Sequence, residues 1–256
     1  MIHKSDILKC LSVAAIVLIR KADLLLTSND CILPVAELFL QYVFGGNPSR
    51  TETDVVMVIF GLFEVIMFSI LFGVYIYRDL YENSVYIFVR QRSRIKWFLS
   101  KAVGLFLYCA IYNMLFVGII FYLCTNCSGE EIDMVAVEIL VITYIMILLF
   151  TYWMTIIINI LSFRFGATLS FMINYVALLV MSALAVSHEK MPIINKSQML
   201  LKLNPVANVV IKWEDGIMRG IYPALYFWVL IVITLFIGCI IAKNMDIGLE
   251  NREKTG

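Results

Sequence analysis

Two carboxylates lie inside long apolar runs of this chain and are the first candidates for chemistry. Glu64 sits near the middle of residues 55–77, and Glu138 sits close to one end of residues 134–163. A charge at the centre of a hydrocarbon layer costs roughly 3 kcal/mol on insertion scales, so such an acid must be protonated, paired or turned toward water. Glu64 therefore has two readings: part of a substrate path or proton relay, or a neutral hydrogen-bonding contact between helices. Glu138 is close enough to its end of the run to reach water. Asn113, Asn159 and Asn174, also in apolar surroundings, read as interhelical hydrogen-bonding groups rather than ligands.

Other chemistries find no residues. No GxxxxGK[ST] phosphate loop occurs, so the chain carries no recognisable nucleotide-hydrolysing site. No HExxH occurs, and the two histidines, His3 and His188, lie far apart in sequence, which leaves a zinc centre without ligands. A GxSxG nucleophile turn is missing too. Cys124 and Cys127 form a single CxxC; a redox pair is conceivable, but two small interfacial residues explain it as well, and a structural zinc site would want a second such pair. Cys10, Cys109 and Cys239 read as packing residues. No metal and no bound cofactor is expected on this chain.

The elements that must position these residues follow from composition. Of 256 residues, 62% are hydrophobic and 15% charged. Soluble domains run near 45–50% apolar and about 25% charged, so too few polar side chains exist here to wet a globular surface. Seventeen Phe and thirteen Tyr exclude disorder, and a net charge of +1 argues against nucleic acid as a partner. The solvent left is a lipid bilayer.

A helix needs ~20 apolar residues to cross ~30 Å of hydrocarbon. Five runs qualify, giving spans over residues 55–77, 102–124, 134–158, 168–187 and 222–242. A sixth, residues 7–26, spans if Arg20 and Lys21 snorkel to an interface; no small-residue cleavage site follows it, so an uncleaved first span is expected rather than a signal peptide. The turn between the fourth and fifth spans is placed at residues 159–167, marked by Arg164 and Gly166. The expectation is an all-α polytopic membrane protein with six transmembrane helices, one transmembrane domain over residues 1–256.

Basic residues orient the spans, because Lys and Arg concentrate in cytoplasmic loops. With both termini inside, the inner segments hold twelve of the twenty basic residues: Lys4, Lys9, Arg78, Arg90, Arg92, Arg94, Lys96, Lys101, Arg164, Lys243, Arg252 and Lys254. The longer outer segments hold eight: Arg20, Lys21, Arg50, Lys190, Lys196, Lys202, Lys212 and Arg219. Both termini are expected to be cytoplasmic. The outer segments 27–54 and 188–221 are too long for plain turns and are expected to form partly re-entrant caps.

The largest inner loop, residues 78–101, reads RDLYENSVYIFVRQRSRIKWFLSK. Tyr86, Arg90, Ser93, Arg94 and Trp97 recur at three- and four-residue spacing, which predicts one amphipathic helix along the inner membrane surface. A positive-inside anchor with Trp97 at headgroup level would account for the same residues.

This loop also resembles a family, the permease subunits of type-2 ABC (ATP-binding cassette) exporters. Those have six spans, about this length, and in the first cytoplasmic loop a coupling helix with a Glu near its start, then Ser-Arg and a Lys seven residues beyond the Arg. Glu82, Ser93, Arg94 and Lys101 fall on that pattern. The Pro that often precedes the Ser-Arg is absent and the Glu is closer than usual, which places the likeness in the divergent peptide and bacteriocin branch. Asn204-Pro205, ahead of the last span, is a second point of similarity.

The resemblance implies that Glu82, Tyr86, Arg90, Ser93, Arg94 and Trp97 dock into a separate ABC ATPase subunit, which would hold ATP and Mg. It also implies a second permease subunit, identical or related, to complete the path; the cargo would be an amphipathic peptide or lipid-like molecule, as in bacteriocin export or self-immunity, across a bacterial plasma membrane. Glu64 and Glu138 would then be candidates for the translocation path. The chain itself would not be an enzyme. Three other readings compete: the substrate-capturing subunit of a vitamin importer, an intramembrane enzyme using Glu64 or Glu138, and a non-transporting sensor or scaffold.

Overall fold

A computed structural model describes residue 15 and residues 34–44, 55–90, 93–128, 133–190, 203–210 and 218–244; the side chains of 37, 41, 57, 83–90, 187–190, 210 and 218–221 are not described. Every described element is a helix: α1 (Val35–Phe44), α2 (Val55–Gly61), α3 (Phe63–Phe72), α4 (Tyr75–Arg90), α5 (Arg94–Ser128), α6 (Met134–Phe165), α7 (Ala167–Lys190), α8 (Pro205–Val210) and α9 (Met218–Asn244). The all-α expectation holds for these residues. Four helices, α5, α6, α7 and α9, are long and apolar enough to cross a membrane. The expected first span, residues 7–26, lies outside the described residues apart from Ala15.

The helix bundle is apolar outside as well as inside. Leu225, Val229, Val232 and Phe236 of α9 and Met172, Val176 and Val180 of α7 point outward, while Glu64, Asn113, Thr143, Thr151, Thr155 and Asn159 are fully enclosed. An apolar exterior, with the few intramembrane polar side chains enclosed in the apolar core, is the arrangement a hydrocarbon solvent selects.

Helix α6 is the hub. It runs antiparallel to α5, to which it is tied where Tyr152 Oη donates to the Ala102 carbonyl (3.1 Å), Tyr144 Oη donates to the Ala110 carbonyl (3.3 Å) and Cys109 Sγ reaches the Leu148 carbonyl (3.7 Å). Asp133 caps its start, with Oδ1 accepting from Met134 N at 2.7 Å. Its end differs from expectation: Asn159 is interior helix rather than turn, and the chain reverses only at Gly166, whose φ of 77° suits glycine. Helix α9 packs on α6 through Phe227, T-shaped against Phe150 at 5.7 Å, and through Gly238, where an added Cβ would come within 2.9 Å of Ile160.

The short helices fill the ends. Helix α1 lies on α5, with Phe39 fully buried and edge-on to Phe121 at 5.5 Å. Its last residue, Phe44, meets Gly61 so closely that their backbones touch. Asn204 caps α8, its Oδ1 accepting from Val206 N (3.0 Å), and Pro205 occupies the first helical position, where a missing N–H costs nothing. Asn204 Nδ2 donates to the Met181 carbonyl of α7 at 2.7 Å, and Tyr226 Oη donates to the Leu203 carbonyl at 2.6 Å. Segments 27–54 and 188–221, expected to be outer, thus each contain a short helix buried against the bundle.

The second expected span, residues 55–77, is one apolar run in sequence but three helical pieces in space. At Leu62 the ladder continues, since Leu62 N donates to Val58 O and Ile66 N donates to Leu62 O, each at 3.1 Å. Between α3 and α4, at Gly73 and Val74, it is interrupted.

Candidate functional site

The loop expected to hold one amphipathic helix is instead an elbow. Helix α4 continues the second run out to Arg90, Ser93 is outside any helix, and α5 begins at Arg94. The residues predicted to share one face are therefore divided: Tyr86 and Arg90 on α4, Arg94 and Trp97 on α5, and Ser93 between them. The physical reason lies at Ser93, whose Oγ accepts from Lys96 N (3.4 Å) and whose carbonyl accepts from Trp97 N (3.2 Å). A serine in this position starts a helix; periodicity across it counts residues on both sides as one turn sequence.

Once α5 starts there, Trp97 turns inward and is 3% exposed, so it is not a headgroup anchor. Its Nε1 donates to Asp79 Oδ2 of α4 at 3.2 Å. Lys101 Nζ meets the same oxygen at 3.0 Å and lies 5.7 Å from the centre of the Tyr75 ring. One carboxylate thus clamps α4 to α5, with both charged side chains mostly out of water. Sequence reasoning missed Asp79 because its partners are 18 and 22 residues away, a separation that shows no period; only the hairpin makes them neighbours. Glu82 is exposed and makes a long contact with Arg78, 3.9 Å on one helix face, which contributes little. Tyr86 and Arg90 lie on the last turns of α4, their side chains outside the described set.

The intramembrane candidates are not alike. Glu64 is fully buried at the start of α3, and its carbonyl accepts from Tyr112 Oη of α5 at 3.2 Å. Glu138 is half-buried in the first turns of α6. The three asparagines also separate. Asn113 Nδ2 bonds within its own helix, to Cys109 O (2.8 Å) and Cys109 Sγ (3.3 Å), rather than across helices as expected. Asn174 Nδ2 is buried without an acceptor. Asn159 does cross: its Oδ1 accepts from Ile76 N at 2.8 Å, and its Nδ2 donates to Phe72 O and to Thr155 O, each at 2.9 Å. Ser69 Oγ and Tyr175 Oη, 2.9 Å apart, add a second link near this level, between α3 and α7. Cys124 and Cys127 are free thiols a turn apart on α5, Cys124 buried. Among the described residues no cluster of His, Cys, Asp or Glu could hold a metal ion.

These features define a protein that is all-helical over its described residues, with four candidate membrane-spanning helices, a few polar groups enclosed in an apolar core and a clamped helical elbow at one end. Residues 11–248 match the family described as a protein of unknown function (DUF2705), and the chain belongs to that family. No curated protein and no solved structure matches it.

Proposed function

We propose that this chain is the membrane subunit of a type-2 ABC exporter, with six spans, both termini cytoplasmic, and the α4–α5 elbow as the docking point for a separate ATPase. The observation that carries the reading is the Asp79 clamp. A device that receives a push must not bend at the point of contact, and Asp79 holds Trp97 and Lys101 so that α4 and α5 move as one lever. Of the residues that carry the family resemblance, Glu82 lies on α4 one turn beyond Asp79, Ser93 immediately precedes α5, and Arg94 and Lys101 lie on its first turns. The helix capped by Asn204-Pro205 between α7 and α9 is consistent with a cover over the outer end of the path. The missing two spans would be residues 7–26 and the run through α2, α3 and α4. A second permease copy or related chain completes the path, and the cargo is an amphipathic peptide or lipid-like molecule moved out of a bacterial cell across its plasma membrane. Glu64 and Glu138 lie along the path.

The test is co-purification of the tagged chain from its native membrane. A stoichiometric ATPase with a phosphate loop is expected, and Arg94→Glu combined with Glu82→Lys should reduce its recovery at least tenfold and abolish export while the chain still inserts. A purified chain that transports with no second protein supplying energy overturns the reading. Orientation has its own check: cysteine at Ser93 should resist a membrane-impermeant thiol reagent in intact cells, and cysteine at Lys196, outside the described residues, should react. The reverse pattern would invert the topology.

A further inference from the structure

The joint between α3 and α4 has an unusual cause. In a continuous helix the Ile76 N–H would bond directly to the Phe72 carbonyl, four residues back. Here the two are joined through the Asn159 carboxamide, which accepts from Ile76 and donates to Phe72. A carboxamide is the side chain suited to this, since it offers a donor and an acceptor a short distance apart. Side-chain insertion into the ladder is a recognised source of sharp helix kinks, and proline, another, is absent: Pro34, Pro48, Pro192, Pro205 and Pro223 all lie outside residues 55–90.

We propose that Asn159 is a removable wedge, and that α3–α4 alternates between this broken form and a continuous helix in which Phe72 and Ile76 bond directly. Three observations make the two forms close in free energy. When the wedge withdraws, the backbone pair satisfies itself. Asn159 Nδ2 keeps its bond to Thr155 O, on its own helix, so only Oδ1 loses a partner. The backbone at Gly73 is already helical, with φ −62° and ψ −22°, and its neighbours hold helical bonds on both sides: Gly73 N to Ser69 O at 2.7 Å and Arg78 N to Val74 O at 2.8 Å. Gly73 lacks a Cβ where one would come within 2.8 Å of Phe171 of α7, so that ring lies against the backbone at the joint in the broken form. Because α4 carries Asp79, straightening swings the clamped elbow relative to α9.

The inference concerns the chain by itself and is tested without any partner. The full chain, in lipid nanodiscs, is spin-labelled through p-acetylphenylalanine at exposed Tyr81 on α4 and at Lys243 on α9, and distances are read by double electron–electron resonance. Tyr81 lies eight residues beyond Gly73, a lever of ~12 Å, so a ~20° change moves it by about 4 Å. Two wild-type populations about that far apart are expected, and Asn159→Leu, which keeps the volume but neither bonding group, should leave only the straight one. A single wild-type distance, or two populations that Asn159→Leu leaves unchanged, overturns the alternation. If Asn159→Leu does not fold, Asn159→Ser, too short to bridge the gap, is read in its place. One distance, unmoved in every folded variant, overturns the proposal.

Discussion

Alanine at Gly61 is expected to prevent the chain from reaching a folded, monodisperse state in detergent, while alanine at Gly118 is expected to be harmless. The added methyl at Gly61 would run into the Phe44 carbonyl and come within 3.0 Å of Phe44 Cα. Both partners in that clash are backbone, so no rotamer change relieves it; α1, whose Phe39 and Val43 are fully buried, must shift away from α2 and disturb its own packing. Overpacking of this kind costs about 3 kcal/mol. At Gly118 a Cβ meets nothing within 4 Å, and replacing a helix-interior glycine there should stabilise by ~0.5–1 kcal/mol. Size-exclusion profiles and thermal melts of the two variants, side by side, separate this contact from a general intolerance of substitution in α2 or α5. Equal behaviour of the two would mean that α1 does not sit against Gly61.

The second large effect is expected at Asp79. Asp79→Ala removes the acceptor of the buried Trp97 indole and the counter-charge of Lys101, whose side chain is 29% exposed. Leaving both groups without that carboxylate costs about 2 kcal/mol, or a melting temperature ~5 °C lower, and loosens the elbow. Lys101→Met added to Asp79→Leu should recover most of the stability, because the orphaned charge is then gone. It should not recover export if the clamp transmits force. Recovery of both would reduce the clamp to a packing feature. Asp79→Ala with an unchanged melting temperature would show that the pair is not formed in the membrane.

The elbow shows how far one-dimensional pattern reaches. Ser93 and Arg94 stood out in the sequence and do sit at the elbow, yet the helix drawn through them was the wrong object. Periodicity reports that residues could share a face if the chain stays helical; a serine cap between two equally good helical segments leaves the period intact while ending one helix and starting another. The run 55–77 misled in the same way, because hydropathy averages over the interruption at Gly73 and Val74. Asn159 reads in sequence as an interhelical group but falls in the expected turn, since Arg164 and Gly166 lie just beyond it and only the positive φ at Gly166 tells which residue reverses the chain.

Composition and run length by themselves determined the helical class, the lipid-facing exterior and the apolar cores of α5, α6, α7 and α9, because solvent preference is a property each residue carries wherever it stands. Tertiary structure decided which polar groups meet. Asn159 bonds to residues 83 and 87 positions away, and Asp79 to residues 18 and 22 away. A hydrogen bond is satisfied by direction and by a few tenths of an ångström, and those are set only when helices pack, so the clamp and the wedge could not be found in the order of residues along the chain.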